Sequence, residues 1–262
     1  MKSLKEKMTT GPVVGMTLLS CVPAFVEILG YWGFDFVFLD AEHTTIGVDR
    51  DMEKLIMAAR LVGISSIVRV PAVDEVAIRK CLEMGADGIT IPHIKTVAEV
   101  ETCVRAARFP PKGRRGMDAG VRAGRYGAKG YNHEVYFKEC EDNLIIPMAE
   151  DFEFTDDIDN ILDVPGIDAI NYGPSDYGMS VNRMTFYDMQ HPENRRIEKL
   201  IIEKAHARGL KVMSPVIPPT MENFLYAKEV GVDMMVAGTD IMQFNKACAG
   251  IMEEAVKVVK SK

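Results

Sequence analysis

The sequence has no long run of apolar residues, and its first residues lack the apolar stretch of a signal peptide, so neither a membrane span nor secretion is expected. Its five cysteines are odd in number, scattered along the chain and never arranged as C-x-x-C. Such thiols are typical of the reducing interior of a cell, where they serve as small core residues. We therefore predict a cytoplasmic protein.

The sequence also lacks a block of Lys and Arg. Its 31 basic and 38 acidic residues give a formal net charge of −7 at pH 7. That balance offers no electrostatic footprint for nucleic acid or for an anionic membrane, so neither is expected as a partner. With 262 residues, of which 47% are hydrophobic, the chain is long enough for one large α/β barrel or for two ordinary domains.

What is present is an alternation of eight short, strand-like apolar runs with longer amphipathic segments of helical spacing. The predicted strands are Val13–Leu19, Phe34–Leu39, Ser65–Val70, Gly88–Ile94, Leu144–Met148, Asp168–Tyr172, Lys211–Val216 and Asp233–Ala237. Eight strand–helix units in about 250 residues favour a (β/α)8 TIM barrel that forms a single domain over residues 1–262. The first strand is not followed by G-x-G-x-x-G, which weakens the alternative of a doubly wound sheet.

One segment interrupts the alternation. Residues 112–143 contain six glycines and several aromatic residues without a clear period. So long an irregular stretch inside a compact domain is usually functional, and we predict that it is a lid or an interface insertion.

Polar residues lie at the ends of the predicted strands or just after them, on the side where such a barrel has its active site. They are Asp40, Glu42 and His43, then Arg69, His93, Glu150 and Asp151, then Ser175 and Asp176, and finally Thr239 and Asp240. Residues of these types also cap helices, which is the favoured explanation for Thr239 and Asp240. Glu is a poor cap, so Glu150 is better explained as part of a polar cup at the mouth of the barrel.

Arg69 stands inside an apolar run, Ile-Val-Arg-Val-Pro. A guanidinium in that position is expected to have an anionic partner, and its planar fork suits a carboxylate. A structural ion pair with Asp40 or Glu42 is the alternative to a role in substrate binding. His43 lies beside two carboxylates and suits a general base that acts through water, although a His at a strand end is about as often structural.

Glu150 and Asp176 follow neighbouring strands, so their carboxylates are expected to converge. Two carboxylates with water and ligand oxygens form an octahedral site for Mg²⁺ or Mn²⁺, and pairing with Arg or Lys of residues 112–143 is the alternative. No lysine lies at the C-terminal tip of a predicted strand, and no Gly-rich phosphate loop follows the last two strands. A carboxylate substrate is therefore favoured over a phosphate ester, and Schiff-base chemistry is disfavoured.

An ordered set of motifs carries a family resemblance: D-x-E-H at 40–43, R-V-P at 69–71, P-P-x-G-x-R-G at 110–116, Glu150, and G-P-x-D at 173–176. From about Gly15 to the last helix, the chain resembles the HpcH/HpaI aldolase family of class II, metal-dependent aldolases that handle pyruvate. The resemblance implies a (β/α)8 barrel, which agrees with the independent count of strand–helix units.

The resemblance also implies a role for each candidate residue: Glu150 and Asp176 as ligands of Mg²⁺ or Mn²⁺ (or Co²⁺), Arg69 as the group that binds and polarises a pyruvate oxygen, His43 as the base, Asp40 as an orienting residue, and Ser175 as a backbone contact to the pyruvate carboxylate. It further implies a homo-oligomer, a hexamer or trimer of dimers. In such an assembly the final helix, residues 241–262, is expected at an interface.

Met148 departs from the family, which commonly has Gln two residues before the metal-binding Glu. A thioether cannot donate the hydrogen bond of an amide, so Met148 is expected to change how the substrate is bound. The expected reaction is the reversible cleavage of a 4-hydroxy-2-oxo acid to pyruvate and an aldehyde through a metal-stabilised enolate.

Three alternative functions stay open. The first two use the same enolate-stabilising core, for oxaloacetate decarboxylation or for carbon–carbon cleavage of a CoA thioester. Candidate residues for binding CoA are Arg114, Arg115, Arg122 and Arg125. The third is a catalytically silent protein that binds a 2-oxo acid.

Overall fold

Eight parallel strands pair in chain order, and the last pairs with the first, which closes the sheet into a barrel. The computed structural model describes residues 3–183 and 188–259. The strands are β1 (Val13–Leu18), β2 (Phe36–Asp40), β3 (Ser65–Arg69), β4 (Gly88–Ile91), β5 (Leu144–Ala149), β6 (Ala169–Tyr172), β7 (Lys211–Pro215) and β8 (Met234–Thr239). The predicted (β/α)8 barrel is confirmed, and each predicted strand overlaps an observed one.

One helix precedes β1, and at least one helix follows each strand. They are α1 (Leu4–Met8), α2 (Pro23–Tyr31), α3 (Arg50–Val62), α4 (Glu75–Glu83), α5 (Val97–Ala107), α6 (His133–Glu141), α7 (Phe152–Asp156), α8 (Ile158–Leu162), α9 (Pro174–Ser180), α10 (Pro192–His206), α11 (Met221–Val230) and α12 (Asp240–Val259). The last three residues of the predicted final helix lie outside the described residues. In the part of the chain that the structure describes, no helix combines the length and apolar character needed to cross a membrane.

Side chains alternate between the inside of the barrel and the surrounding helices, as the twofold period of a strand requires. In β2, Phe36 and Phe38 belong to the cluster inside the barrel, whereas Val37 and Leu39 pack with the helices. A Cβ at Gly15 in β1 would collide with the ring of Phe36, so glycine makes room for this large interior side chain.

A short helix that the sequence analysis did not predict closes the N-terminal end of the barrel. α1 begins with a capping box formed by Ser3 and Glu6. Its two buried residues, Leu4 and Met8, belong to the same interior cluster as Phe36. Side chains therefore fill the N-terminal end of the barrel, which leaves space for a cavity at the C-terminal ends of the strands.

Residues 112–143 are more regular than their sequence indicates. They contain a 3₁₀ turn at Arg125–Gly127 and the helix α6. The side chain of Asn132 caps α6 by accepting from two backbone N–H groups. Tyr136 of α6 packs against Phe109 with 5.7 Å between ring centroids, which fixes this segment to the chain that follows α5.

Candidate active site at the mouth of the barrel

A cavity of about 340 Å³ lies at the C-terminal ends of the strands, where a barrel of this type has its active site. Six of the seven residues to which the sequence analysis gave roles line this cavity: His43, Arg69, Met148, Glu150, Ser175 and Asp176. The seventh, Asp40, is fully buried at the end of β2. The structure therefore gathers side chains from the ends of β2, β3, β5 and β6 around one space.

Two acidic side chains hold Arg69. Its Nε and Nη2 donate to Oδ1 and Oδ2 of Asp40 at 2.7 and 2.8 Å, and its Nη1 lies 2.9 Å from Oε2 of Glu42. The structural ion pair that stood as an alternative is therefore present, and Arg69 lines the cavity as well. Asp40 also accepts from the backbone N–H groups of Glu42 and His43, so one buried carboxylate orients both the guanidinium and the loop after β2.

Glu150 directly follows β5 and is fully buried. Its Oε1 accepts from the backbone N–H of His93 at 2.7 Å, whereas its Oε2 has no hydrogen-bond partner within the described ranges. Burial raises the pKa of Glu150 to about 7, and the charges of Glu42 and Asp176 add to this rise, while the contacts with His93 oppose it. A buried carboxylate with a free oxygen favours the binding of a cation.

Glycine at position 173 allows this arrangement. A Cβ on Gly173 would lie 2.5 Å from Oε2 and 2.7 Å from Cβ of Glu150. Any larger residue there would displace the carboxylate, so the backbone after β6 approaches Glu150 as closely as a peptide chain can.

His93 is a candidate residue to which the sequence analysis gave no role. Its backbone has φ of 52°, in the left-handed region, which aims its N–H at Glu150. Its Nδ1 lies 2.9 Å from Oδ2 of Asp151, and its Nε2 lies 3.4 Å from Oε1 of Glu42. Although burial opposes the change, the hydrogen bond with Asp151 and the charge of Glu150 raise the pKa of His93. The sequence signal was a His near the end of a predicted strand, but nothing in the sequence indicated its left-handed backbone conformation.

Two sets of side chains are candidate ligands for a metal ion. Over residues 3–183 and 188–259, the one group of three such residues with ligand atoms within 4.8 Å of one another is Glu42, His93 and Glu150. Asp176, in the first turn of α9, lies outside that group but faces the same cavity as Glu150. Its charge also contributes to the raised pKa of Glu150. Glu150 is common to both sets.

The other cavity residues differ in how firmly they are held. The side chain of His43 is 56% exposed, and its Nε2 lies 3.5 Å from Oε2 of Glu42. Met148 is buried in the wall of the cavity. The Oγ of Ser175 is buried and has no hydrogen-bond partner in the described part of the chain, so it is available to a ligand.

Residues 14–247 match the family model described as HpcH/HpaI aldolase/citrate lyase. The chain belongs to this family. A 5-keto-4-deoxy-D-glucarate aldolase of Escherichia coli is 29% identical to it over 226 residues, which cover 86% of this chain and 85% of that protein.

Solved structures of the same architecture agree with the assignment. The HpcH/HpaI aldolase of Desulfitobacterium hafniense DCB-2 has a TM-score of 0.89 at 26% identity, and the match covers 98% of both chains. The citrate synthase SbnG has a TM-score of 0.86 at 27% identity, with 99% of both chains covered. As a member of this aldolase/lyase family, the chain is an enzyme, a carbon–carbon lyase.

The two polar residues at the end of β8 have structural contacts. Asp240 accepts from the backbone N–H groups of Leu19 and Ser20 at 3.0 and 3.2 Å, and Oγ1 of Thr239 accepts from the N–H of Met242 at 3.0 Å. The contact of Thr239 fits its favoured explanation as a cap of α12, whereas Asp240 ties the loop after β1 to the start of that helix.

The arginines considered for CoA do not form a basic rim on the cavity, because no residue of 112–143 lines it. Arg122 pairs with Glu53 at 2.9 Å, Arg125 pairs with Glu139 at 2.5 Å, and Arg115 is buried against the ring of Phe109. Whether residues 112–143 form a lid or an interface stays a prediction. Because these residues do not line the cavity of the same chain, an interface is favoured.

Proposed function

We propose that this member of the family is a divalent-metal-dependent class II aldolase. It reversibly cleaves a 4-hydroxy-2-oxo acid to pyruvate and an aldehyde. The observation that carries the proposal is Glu150, a fully buried carboxylate with a free oxygen, placed in one cavity with Asp176 and Arg69. This combination supplies negative charge for a cation and positive charge for an enolate.

The residues fit a divalent ion. The free Oε2 of Glu150 and the like charges of Glu42 and Asp176, which raise the pKa of Glu150, are the features that a bound cation would compensate. Oxygen ligands of this kind suit Mg²⁺ or Mn²⁺, and Co²⁺ is acceptable. Glu150 and Asp176 would hold the ion, and when bound it would act as a Lewis acid on the 2-oxo and carboxylate oxygens of the substrate.

Arg69 would stabilise the charge that develops on the 2-oxo oxygen when the bond between C3 and C4 breaks. Both of its contacts with Asp40 are made through Nε and Nη2, which fixes the plane of the guanidinium before the substrate arrives. Asp40 touches no cavity surface and is therefore a positioning residue. A guanidinium held in this way needs little rearrangement during the reaction.

His43 would remove the proton of the C4 hydroxyl, through water, in the cleavage direction. Its side chain is half-exposed at the cavity, and Glu42 lies close enough to orient the ring. The electrons of the broken bond pass to C3, which takes up a proton to give pyruvate. Ser175, with its unpartnered hydroxyl and its backbone N–H, would contact the carboxylate of the 2-oxo acid.

The direct test is pyruvate release from a 4-hydroxy-2-oxo acid in Mg²⁺ or Mn²⁺, and then in EDTA. We expect EDTA to abolish activity, added metal to restore it, and Glu150→Gln to lower activity at least ~100-fold. Activity that survives both EDTA and Glu150→Gln would refute the proposal. Oxaloacetate in the same assay tests decarboxylation on the same core, and pyruvate binding without any turnover would instead identify a silent binding protein.

We also propose a homo-oligomer whose interface includes α12. Of the 20 residues of this helix, Asp240 is the buried one, and Phe244 and Ile251 are 65% and 67% exposed. A long helix with so much exposed apolar surface is typical of a protein–protein contact. A hexamer or trimer of dimers would cover this surface with other copies of the chain.

A further inference from the structure

The lining of the cavity divides by charge around the barrel. Its ionisable residues all come from the ends of β2 to β6; they are His43, Arg69, Glu150, Tyr172 and Asp176. The lining residues from β7, β8, β1 and the start of α12 are all uncharged. Because the strands pair in chain order, these three strands form one continuous arc of the wall. The cavity therefore has one ionic side and one uncharged side.

The uncharged side is also mostly apolar. Leu19, Ile217, Val236, Ile241 and Met242 present aliphatic or thioether side chains to the cavity. Its polar side chains are the hydroxyls of two threonines, Thr17 and Thr239. A hydroxyl is a weak partner for a carboxylate compared with a guanidinium or an ammonium group.

Permanent positive charge is scarce in the whole cavity. Among the lining residues found in the described ranges, Arg69 is the only Lys or Arg. Its charge is already balanced by Asp40 and Glu42, both within 2.9 Å of it. A substrate with one carboxylate would be matched on the ionic side by Arg69 and by the divalent ion that Glu150 and Asp176 would hold. A second carboxylate on the opposite side would lose its hydration without gaining a cationic partner.

We infer that the aldehyde half of the substrate is a short, uncharged apolar group seated on the arc of β7, β8 and β1. This inference rests on the proposed function, which places the 2-oxo acid on the ionic side. It adds the chemical class of the aldehyde half of the substrate. The volume of about 340 Å³ lies at the small end of ligand pockets and suits a chain of a few carbons. Ile217 and Met242 are then specificity residues, because they lie on the arc across from the charged set.

The test compares two ligands of six carbons that differ at one end. 2-Oxohexanoate ends in a methyl group, and 2-oxoadipate ends in a second carboxylate. Their dissociation constants for the Mg²⁺-loaded full-length enzyme are measured by calorimetry. We expect 2-oxohexanoate to bind at least ~10-fold more tightly, because its tail is buried on apolar side chains. Equal or tighter binding of 2-oxoadipate overturns the inference, as does the failure of both acids to bind.

Variants locate the preference on the arc. Met242→Arg introduces a cation there, and we expect it to reduce the ratio of the two dissociation constants several-fold or to invert it. Met242→Leu keeps the apolar surface and should leave the ratio unchanged. Leu61→Arg on the exposed face of α3, where Leu61 is 74% exposed, controls for the added charge and should also leave it unchanged. The same ratio in Met242→Arg as in the wild type would contradict the placement of the tail.

A separate measurement distinguishes failure of this inference from failure of the proposed function. Exchange of the pyruvate methyl protons in D₂O, followed by NMR, reports enolate formation without any aldehyde. If exchange occurs and 2-oxoadipate binds more tightly, the inference of an apolar aldehyde half is wrong, and the proposed function stands. Tighter 2-oxohexanoate binding without exchange refutes the proposed chemistry and supports the apolar pocket.

Discussion

Gly173 is the residue on which the position of Glu150 depends most directly, since an added Cβ would lie 2.5 Å from Oε2. We predict that Gly173→Ala weakens Mn²⁺ binding by ~10- to 100-fold, because Glu150 must turn away. Calorimetric titration with Mn²⁺ measures the change. Gly250→Ala is the matched control, because Gly250 lies in α12 and its added methyl group would meet no side chain or neighbouring element within 4 Å. Unchanged Mn²⁺ affinity in Gly173→Ala would remove Glu150 from the metal site.

Arg69 is expected to be intolerant of a change that keeps its charge. An ammonium group cannot reproduce the two parallel contacts to Asp40, so Arg69→Lys should lower kcat for pyruvate release by ~10²- to 10³-fold. Steady-state kinetics with kcat and KM determined separately provide the readout. Arg196→Lys, at a surface pair with Glu193, should retain activity. An active Arg69→Lys enzyme would argue that the charge alone suffices.

For individual residues, the sequence predicts which residue types lie near the site better than it predicts which atoms they contact. Arg69 within an apolar run indicates a need for an anion, and the structure provides two. The sequence does not distinguish a carboxylate that lines the cavity from one beneath it, as with Asp40. The position of His93 depends on one left-handed backbone angle that no side-chain pattern reports.

Helix α12 carries the prediction about assembly. If its exposed apolar face is covered by other copies, Phe244→Glu with Ile251→Glu should shift the mass measured by light scattering to a smaller species. Glu253→Gln on the same helix is the control and should leave the mass unchanged. A wild-type chain that is monomeric at micromolar concentration would contradict the proposed oligomer.

Helix α10 and strand β7 are joined by a buried acid. Glu198 is 1% exposed and accepts from Oγ of Ser214 at 2.5 Å. Burial raises the pKa of Glu198, so the folded protein binds this proton more tightly than the unfolded chain does. The resulting stabilisation is complete below the ordinary pKa of Glu, about 4.3, and is lost as the pH rises through the raised value.

Glu198→Gln should remove that loss, because an amide mimics the protonated acid at every pH. Urea unfolding at pH 5 and pH 8 measures the free energy of unfolding of both proteins. We expect the variant to gain stability relative to the wild type between these two pH values. The same difference at both pH values would mean that Glu198 titrates normally.

Strands and helices were predictable from the sequence where a single pattern of apolar residues was strong enough to identify them. The eight strands are continuous apolar runs because both of their faces are buried, and all eight were placed correctly. The amphipathic segment between β5 and β6 forms two helices and not one, since the backbone of Asp157 leaves the helical region between α7 and α8. The short helices α1 and α9 were missed because five and seven residues give too little periodicity.

For the whole molecule, a metal that binds the folded state alone should stabilise it. At 100 times its dissociation constant, Mg²⁺ would add about 2.7 kcal/mol, which corresponds to a rise in Tm of roughly 5–10 °C for a chain of this size. Scanning calorimetry in EDTA and in Mg²⁺ measures the shift. Glu150→Gln should show a much smaller one. An identical rise in both proteins would indicate that the ion binds elsewhere.

Leu4 and Met8 of α1 close the N-terminal end of the barrel, and this closure has a consequence for turnover. Because side chains close the N-terminal end of the barrel, the cavity opens at the C-terminal ends of the strands. Both products would therefore leave through the opening by which the substrate enters. Substitutions in the loops around this opening are therefore expected to affect substrate entry and product release together.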